Sequence, residues 1–316
     1  NPKFARAYEY SDCWVEDARL VVLNARDAEA RGAQIMTRSK VTRAERVDGL
    51  WQITVDRNGT TETFQARALV NAGGPWVADI IREVTHVAST ESVRLVRGSH
   101  IFQGEDGRII FAIPYETDFT LIGTTDLDHA GDPSDAQCSD EEAAYLCRFA
   151  SAYFANPVTP DQVVWTYSGV RPLYDDGASS ATAATRDYVL SLDENGPLLL
   201  NVFGGKITTY RKLAEKALAK LRAGFPELPG GWTAGVAMPG GDFAVDGVAG
   251  LIAGLQADYP FLTDRWTRRL VRAYGTEARQ VLGDAESAED LGRDFGATLR
   301  EVEIRWLMTR EYAVTA

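Results

Sequence analysis

Two stretches of the chain, "ALVNAGGPWV" (68–77) and "LLLNVFGGKITTYRKLAEKAL" (198–218), share one build: an apolar run, two glycines, then a helical pattern. A short apolar run bounded by glycine and followed by a helix reads as a buried strand feeding a helix, the repeating unit of α/β sheets. Glycines at such a junction let backbone approach a flat or anionic ligand. At the second junction Lys206 adds a cation at the start of a helix, whose free N–H groups already favour anions. A tight turn with a solvated lysine is the plain alternative. A Walker loop is excluded, because Leu200 stands where its first glycine belongs and Ile207 follows the lysine in place of Ser or Thr. No G-x-G-x-x-G occurs in the sequence.

Around these junctions the chain alternates strands and helices. A helical pattern over 15–34 ends near Gly32. "KVTRAERV", the turn Asp48-Gly49 and "LWQITVD" predict a hairpin that puts Trp51, Ile53 and Val55 on one face. Asn58-Gly59 and "TTETFQA" extend it to a three-stranded meander. Pro75 suits the first position of a helix. "RIIFAIPYETDFTLIGTTD" predicts a second hairpin, and Ser139 with Glu142 forms a capping-box pattern opening a helix. "QVVWTYSGVRPLYDD" reads as a strand followed by a loop, and "RDYVLSLD" as another strand. Past Arg222 a Gly- and Pro-rich linker leads into helical patterns without strands.

The 316 residues exceed what one core usually serves, so more than one domain is expected. With 33 Lys plus Arg against 45 Asp plus Glu, the net charge of −12 opposes a nucleic-acid binder. No apolar run nears the ~18 residues of a membrane span. The three cysteines, Cys13, Cys138 and Cys147, have no metal spacing and read as reduced thiols of a cytosolic protein.

Seven strings taken together, "YEYSDCWVEDARL", "LVNAGGPWV", "RLVRGSHI", "LIGTTD", "WTYSGVRPL", "TRDY" and "FGGKITTYRKLAEKAL", cover most of residues 8–222 in order. In them the chain resembles the FAD-dependent glycerol-3-phosphate dehydrogenases of the D-amino-acid-oxidase-like flavoprotein superfamily. The resemblance implies an α/β + α fold. An FAD/NAD(P)-binding (glutathione-reductase-like) flavin domain, incomplete here, would span 1–83 and 197–222. A mixed-sheet substrate domain would span 84–196, and an all-helical C-terminal domain 223–316. The family's dinucleotide fingerprint would precede Asn1, and about a dozen further residues would lie between His100 and Ile101.

The implied activity is oxidation of sn-glycerol 3-phosphate to dihydroxyacetone phosphate, with hydride passing to FAD and electrons to a quinone. Arg171 and Arg186 would clamp the phosphate, since guanidinium groups fork onto its oxygens. Their alternative is pairing with Asp175, Asp176 or Asp187. Lys206 would stabilise negative charge at the flavin edge, beside Gly204, Gly205 and Thr208. Ala72, Gly73, Gly74 and Val41 would line the rest of the cofactor.

His100 would touch substrate and is a candidate base for the C2 hydroxyl proton, although a structural histidine there, or a base before Asn1, stays open. Thr124, Thr125 and Asp126 would line the pocket or merely make a turn; Thr125 is the one taken as a substrate contact. No metal is expected. Lys212, Lys216 and Lys220 form a stripe on the helix after Thr208 that suits anionic lipid, or simply solvent. The resemblance thus places the protein in the cytoplasm, peripheral on the inner membrane, and admits a homodimer. Its rivals are a related oxidase of amino acids or glycerol 3-phosphate that uses oxygen, and a non-catalytic module.

Overall fold

The computed structural model describes residue 9 and residues 15–98, 111–116, 118–175 and 187–314. Its contacts gather into two compact units. One is Ser39–Gly230; the other combines the residues from 231 onward with helix α1 (Asp17–Ala30). The three portions expected from sequence are therefore grouped differently. Residues 39–230, flavin and substrate portions together, form one unit, and α1 leaves the flavin portion for the helical tail.

In the first unit the meander forms as predicted. Strands β1 (Ser39–Val47), β2 (Leu50–Arg57) and β3 (Thr60–Ala66) pair antiparallel in that order. Both residues of the Asp48-Gly49 turn have positive φ, 49° and 79°, as do Asn58 and Gly59 at 53° and 83°. That backbone matches the strand twist and suits Asn, Asp and Gly. Trp51, Ile53 and Val55 are buried on one face with Ala44 and Leu199.

Leu199 belongs to β11 (Leu198–Phe203), a strand buried along its whole length. It lies between antiparallel β10 (Val189–Asp193) and parallel β4 (Ala68–Asn71). The other face of β11, through Leu198 and Leu200, packs on Ala217 and Leu221 of helix α4 (Tyr210–Leu221). A strand covered on both faces has to be apolar at every position, hence the run "LLLNVF". Its one polar side chain, Asn201, bonds Asn71 of the parallel strand at 3.0 Å.

After β4 a 3-10 turn with Pro75, the short helix α2 (Val77–Asp79) and a π-turn (Ile80–Thr85) replace the regular helix expected there. Strands β5 (Val93–Gly98), β8 (Leu127–Asp128) and β9 (Gly169–Tyr174) form an antiparallel sheet with β5 in the middle. The predicted hairpin is β6 (Phe111–Tyr115) with β7 (Phe119–Gly123). Helix α3 (Asp140–Ser151) opens on the predicted capping box, with both of its hydrogen bonds present.

The strand expected from Gln162 begins only at Gly169. Gly169 pairs with Gly98, where the described part of β5 ends, so residues 163–168 have no described ladder partner. Val164 and Trp165 there are 75% and 77% exposed.

The second unit is helical: α1, α5 (Val248–Asp258), α6 (Asp264–Tyr274), α7 (Ala278–Leu282) and α8 (Glu301–Arg310). Its core joins Leu255, Trp266, Leu270, Tyr274, Leu291 and Trp306. Helix α1 has no buried residue of its own and is held by charge. Arg26 forks onto Glu277 at 2.7 Å through each Nη, and Arg19 bonds Glu311, whose other oxygen accepts from the Trp306 indole at 2.9 Å.

Candidate functional site

Parallel pairing of β4 with β11 puts Asn71 opposite Asn201. Both strands leave the sheet at their carboxyl ends, so the two glycine junctions emerge side by side. That edge is where open α/β sheets hold ligands. Asn71 Nδ2 also donates to the Val77 carbonyl at 3.0 Å, and Gly73 N donates to Asn71 Oδ1 at 3.3 Å, which ties the first junction to its own strand. Gly74, Gly204 and Gly205 have φ of 56°, 67° and 105°, left-handed backbone that favours glycine. A Cβ on Gly74 would meet nothing within 4 Å, so space over that backbone is open. Ala72, Lys206 and Thr208 are exposed, and Lys206 precedes the 3-10 turn Ile207–Thr209 that leads into α4.

The second junction also touches the strand that carries Arg171. A Cβ on Gly204 would lie 3.4 Å from the Pro172 carbonyl and 3.2 Å from that of Asp187. Arg171 itself bonds neither Asp175 nor Asp187 in the contacts seen. Its Nη1 donates to Asp126 Oδ1 at 2.6 Å and its Nη2 to Thr124 Oγ1 at 3.1 Å. The Arg171 side chain is 32% exposed, and the two bonds leave three of the five guanidinium N–H donors for a ligand.

The close approach depends on Gly98 of β5. A Cβ there would stand 2.1 Å from the Thr125 carbonyl and 2.3 Å from Arg171 Nη1. Gly98→Ala is expected to destabilise the protein by about 1–3 kcal/mol, as over-packing does, and to displace Arg171. Urea unfolding checks the first effect and substrate KM the second.

Thr125 differs from expectation. It is 2% exposed and gives its hydroxyl to Glu142 Oε1 at 2.7 Å, so that group is buried and already bonded. Thr124 and Asp126, on either side, are the residues that meet Arg171. Val41 lies on β1 opposite Val55, 37% exposed, beside an irregularity in the pairing. His100 and Arg186 lie outside the described residues. His86 and His129 each bond a backbone carbonyl, of Arg82 and Asp132, in keeping with structural roles.

On α4, Lys212, Lys216 and Lys220 are exposed as a stripe while Leu221 is buried. Lys212 bonds Glu215 at 3.2 Å. Lys216 stands over the Tyr188 ring, 5.0 Å from its centroid, and a hydrogen bond with the Tyr188 side chain raises its pKa. A groove of about 760 Å3 lined by Phe119, Phe154, Trp165 and Tyr167 contains none of the predicted site residues. Cys138 and Cys147 are free thiols in its wall, and burial above all pushes both pKa values up.

A mixed sheet with paired glycine junctions at the carboxyl ends of parallel neighbouring strands is the frame of a ligand-binding α/β domain. The family model described as FAD dependent oxidoreductase matches residues 1–211, and the chain belongs to that family. It is 43% identical to D-erythritol 1-phosphate dehydrogenase of Brucella abortus, over 99% of this chain and 66% of that protein. To aerobic glycerol-3-phosphate dehydrogenase of Escherichia coli it is also 43% identical, over 98% of this chain and 65% of that protein. Its fold matches the glycerol-3-phosphate dehydrogenase of Bacillus halodurans solved with FAD, with a TM-score of 0.78 and 26% identity, covering 95% of this chain and 62% of that one.

The chain thus spans just under two thirds of the curated relatives it matches. The first alignment runs over 331 positions, more than the 316 residues present, so that relative carries residues within the span that this chain lacks.

The two junctions fit the family's cofactor. Open backbone over Gly74, the left-handed Gly204-Gly205 pair and exposed Lys206 offer a flat, cationic edge to a planar ring and its anionic tail. The residues that sequence reasoning passed over are Gly98, and Asp126 and Glu142 in the contacts they make. Arg171 and Asp126 are 45 residues apart, and no local pattern announces a pair formed across a sheet.

Proposed function

We propose that the protein of which this chain is part oxidises C2 of sn-glycerol 3-phosphate to the ketone of dihydroxyacetone phosphate. The observation that carries the reading is the close approach of Gly204 to the Pro172 carbonyl of β9, the residue after Arg171. In this reading the strand that Gly204 approaches is also the one that carries the arginine for the phosphate. When bound, FAD supplies the hydride acceptor.

Arg171 binds the phosphate and so fixes the distance from that anion to the carbon being oxidised. Asp126 and Thr124 hold the guanidinium in place while it does so. Lys206 places positive charge where negative charge grows as the cofactor is reduced. Gly73, Gly74, Gly204 and Gly205 give the cofactor backbone to lie against. The reading assigns Arg186 to the same phosphate and His100 to the hydroxyl of C2, whose proton has to leave as the hydride does.

A quinone as electron acceptor, an anionic bilayer surface as the place of work and a cytoplasmic location belong to the same proposal, supported by the resemblance and by the exposed lysines of α4. No described helix is long and apolar enough to cross a membrane.

A second substrate, D-erythritol 1-phosphate, is favoured by the equal identity to the Brucella abortus relative. It is the same kind of polyol phosphate with one more carbon. The test is anaerobic bleaching of the flavin in the full-length protein. sn-Glycerol 3-phosphate is expected to bleach it faster than the longer ester at equal concentration. The reverse order selects the second substrate, and bleaching by an amino acid alone removes the phosphate reading.

A further inference from the structure

We infer that Glu142 and Thr125 form a positioning pair that sets the orientation of Arg171 from behind, an inference resting on the functional reading above. The segment Thr124–Asp126 supplies both side-chain partners of the guanidinium, Thr124 Oγ1 and Asp126 Oδ1. Between them Thr125 is turned the other way and anchored. Its hydroxyl donates to Glu142 Oε1 at 2.7 Å, and the residue is 2% exposed. Thr124 Oγ1 in turn donates to the Thr125 carbonyl at 2.9 Å, so the residue that receives Arg171 Nη2 is itself oriented by the anchored one.

Glu142 is suited to act as the fixed point. It is 5% exposed and sits at the third position of α3. Its Oε2 accepts from Ser139 N and from Arg97 Nη2, each at 3.0 Å. Arg97 comes from β5, one residue before Gly98, the glycine that lets Arg171 approach. One buried carboxylate therefore joins the start of α3, the central strand of the Arg171 sheet and the 124–126 segment. A buried carboxylate is costly unless paired and hydrogen-bonded, and here all its partners are in place.

A helix cap alone would need only Ser139. The added bonds to Thr125 and Arg97 turn a capping residue into a brace for an anion site. The result is that Arg171 presents its remaining donors in one direction before any substrate arrives, which saves ordering it on binding.

Thr125→Val keeps the volume and removes the hydroxyl; Thr125→Ser restores a donor. In the full-length holoenzyme, Thr125→Val is expected to raise KM for sn-glycerol 3-phosphate about tenfold with kcat changed less than twofold. The Ki of inorganic phosphate as a competitive inhibitor is expected to rise in parallel. Thr125→Ser is expected to return both to within about twofold of wild type. Unchanged KM and Ki in Thr125→Val, with only a lower Tm, overturn the inference and leave Glu142 as a helix cap.

If the wild type neither turns over sn-glycerol 3-phosphate nor is inhibited by phosphate, the functional reading falls. A crystal structure of Thr125→Val then decides the positioning separately. Arg171 released from Asp126 and Thr124 supports it, and Arg171 held in its wild-type contacts rejects it.

Discussion

Arg171→Ala in the full-length protein is expected to lower kcat/KM for sn-glycerol 3-phosphate by about 10²–10³-fold, mainly through KM. Hydrogen bonds to a charged partner contribute about 1.5–3 kcal/mol each, and each 1.4 kcal/mol is tenfold in affinity. Two such bonds from one guanidinium fork reach that range. Arg171→Lys keeps the charge and loses the fork, so an intermediate loss is expected. The fold should tolerate the change. The Arg171–Asp126 pair has side chains 32% and 24% exposed, and partly solvated ion pairs add little stability. Steady-state kinetics with a thermal melt separate the two effects. A KM within twofold of wild type for Arg171→Ala takes this residue out of the site.

Trp51→Ala carries the largest expected effect on stability, about 3–5 kcal/mol, the range for removing a large aromatic side chain from a core. Trp51 is fully buried among Ala44, Ile53, Val55 and Leu199. Its indole N–H donates to the Leu198 carbonyl at 2.9 Å, and the Arg46 guanidinium stacks 4.7 Å from its ring. The side chain therefore joins the meander to β11, the strand that delivers the Gly204–Lys206 junction. Loss of the indole leaves a cavity on one side of that strand and removes the N–H that the Leu198 carbonyl accepts. Urea unfolding of the full-length protein should show the drop, with flavin lost at lower urea than in wild type. Trp51→Phe, which keeps a ring and drops the N–H, should lose less than half as much. A loss under about 1 kcal/mol for Trp51→Ala shows that the meander is not bound to β11 through this residue.

The two predictions differ in how far the sequence announces them. Trp51 was legible because a strand with one buried face writes itself as alternation, and the Asp48-Gly49 turn fixes the register. The capping box at Ser139 and the two glycine junctions were legible for the same reason, since each is a local rule met within a few residues. Where the rule was local but its partner was distant, the reading missed. The strand expected from Gln162 is found over Gly169–Tyr174, where the described residues of β5 pair with it. Helix α1 is legible as a helix, but nothing near it in the chain says which unit it packs with. Its ion pairs run to Glu277 and Glu311, more than 250 residues away.

The site divides along the same line. Arg171 and Lys206 take their proposed roles from the family resemblance, together with the chemistry of their side chains. Thr125 was chosen likewise, yet the fold spends its hydroxyl on Glu142 and gives the contact with Arg171 to its two neighbours. Adjacent residues in an extended segment point to opposite sides, so a shift of one position exchanges a binding group for a buried anchor.

By itself the sequence determined most of the elements, the meander, the capped helix and the two glycine junctions, and the family that the chain resembles. Only the tertiary structure decided which of those elements meet. It placed the two junctions on parallel neighbouring strands, set Asp126 rather than Asp175 or Asp187 against Arg171, and sent α1 to the helical unit. The reason is physical. Periodicity, turns and caps are short-range preferences written in adjacent residues, whereas pairing across a sheet depends on burial and geometry that no single stretch contains.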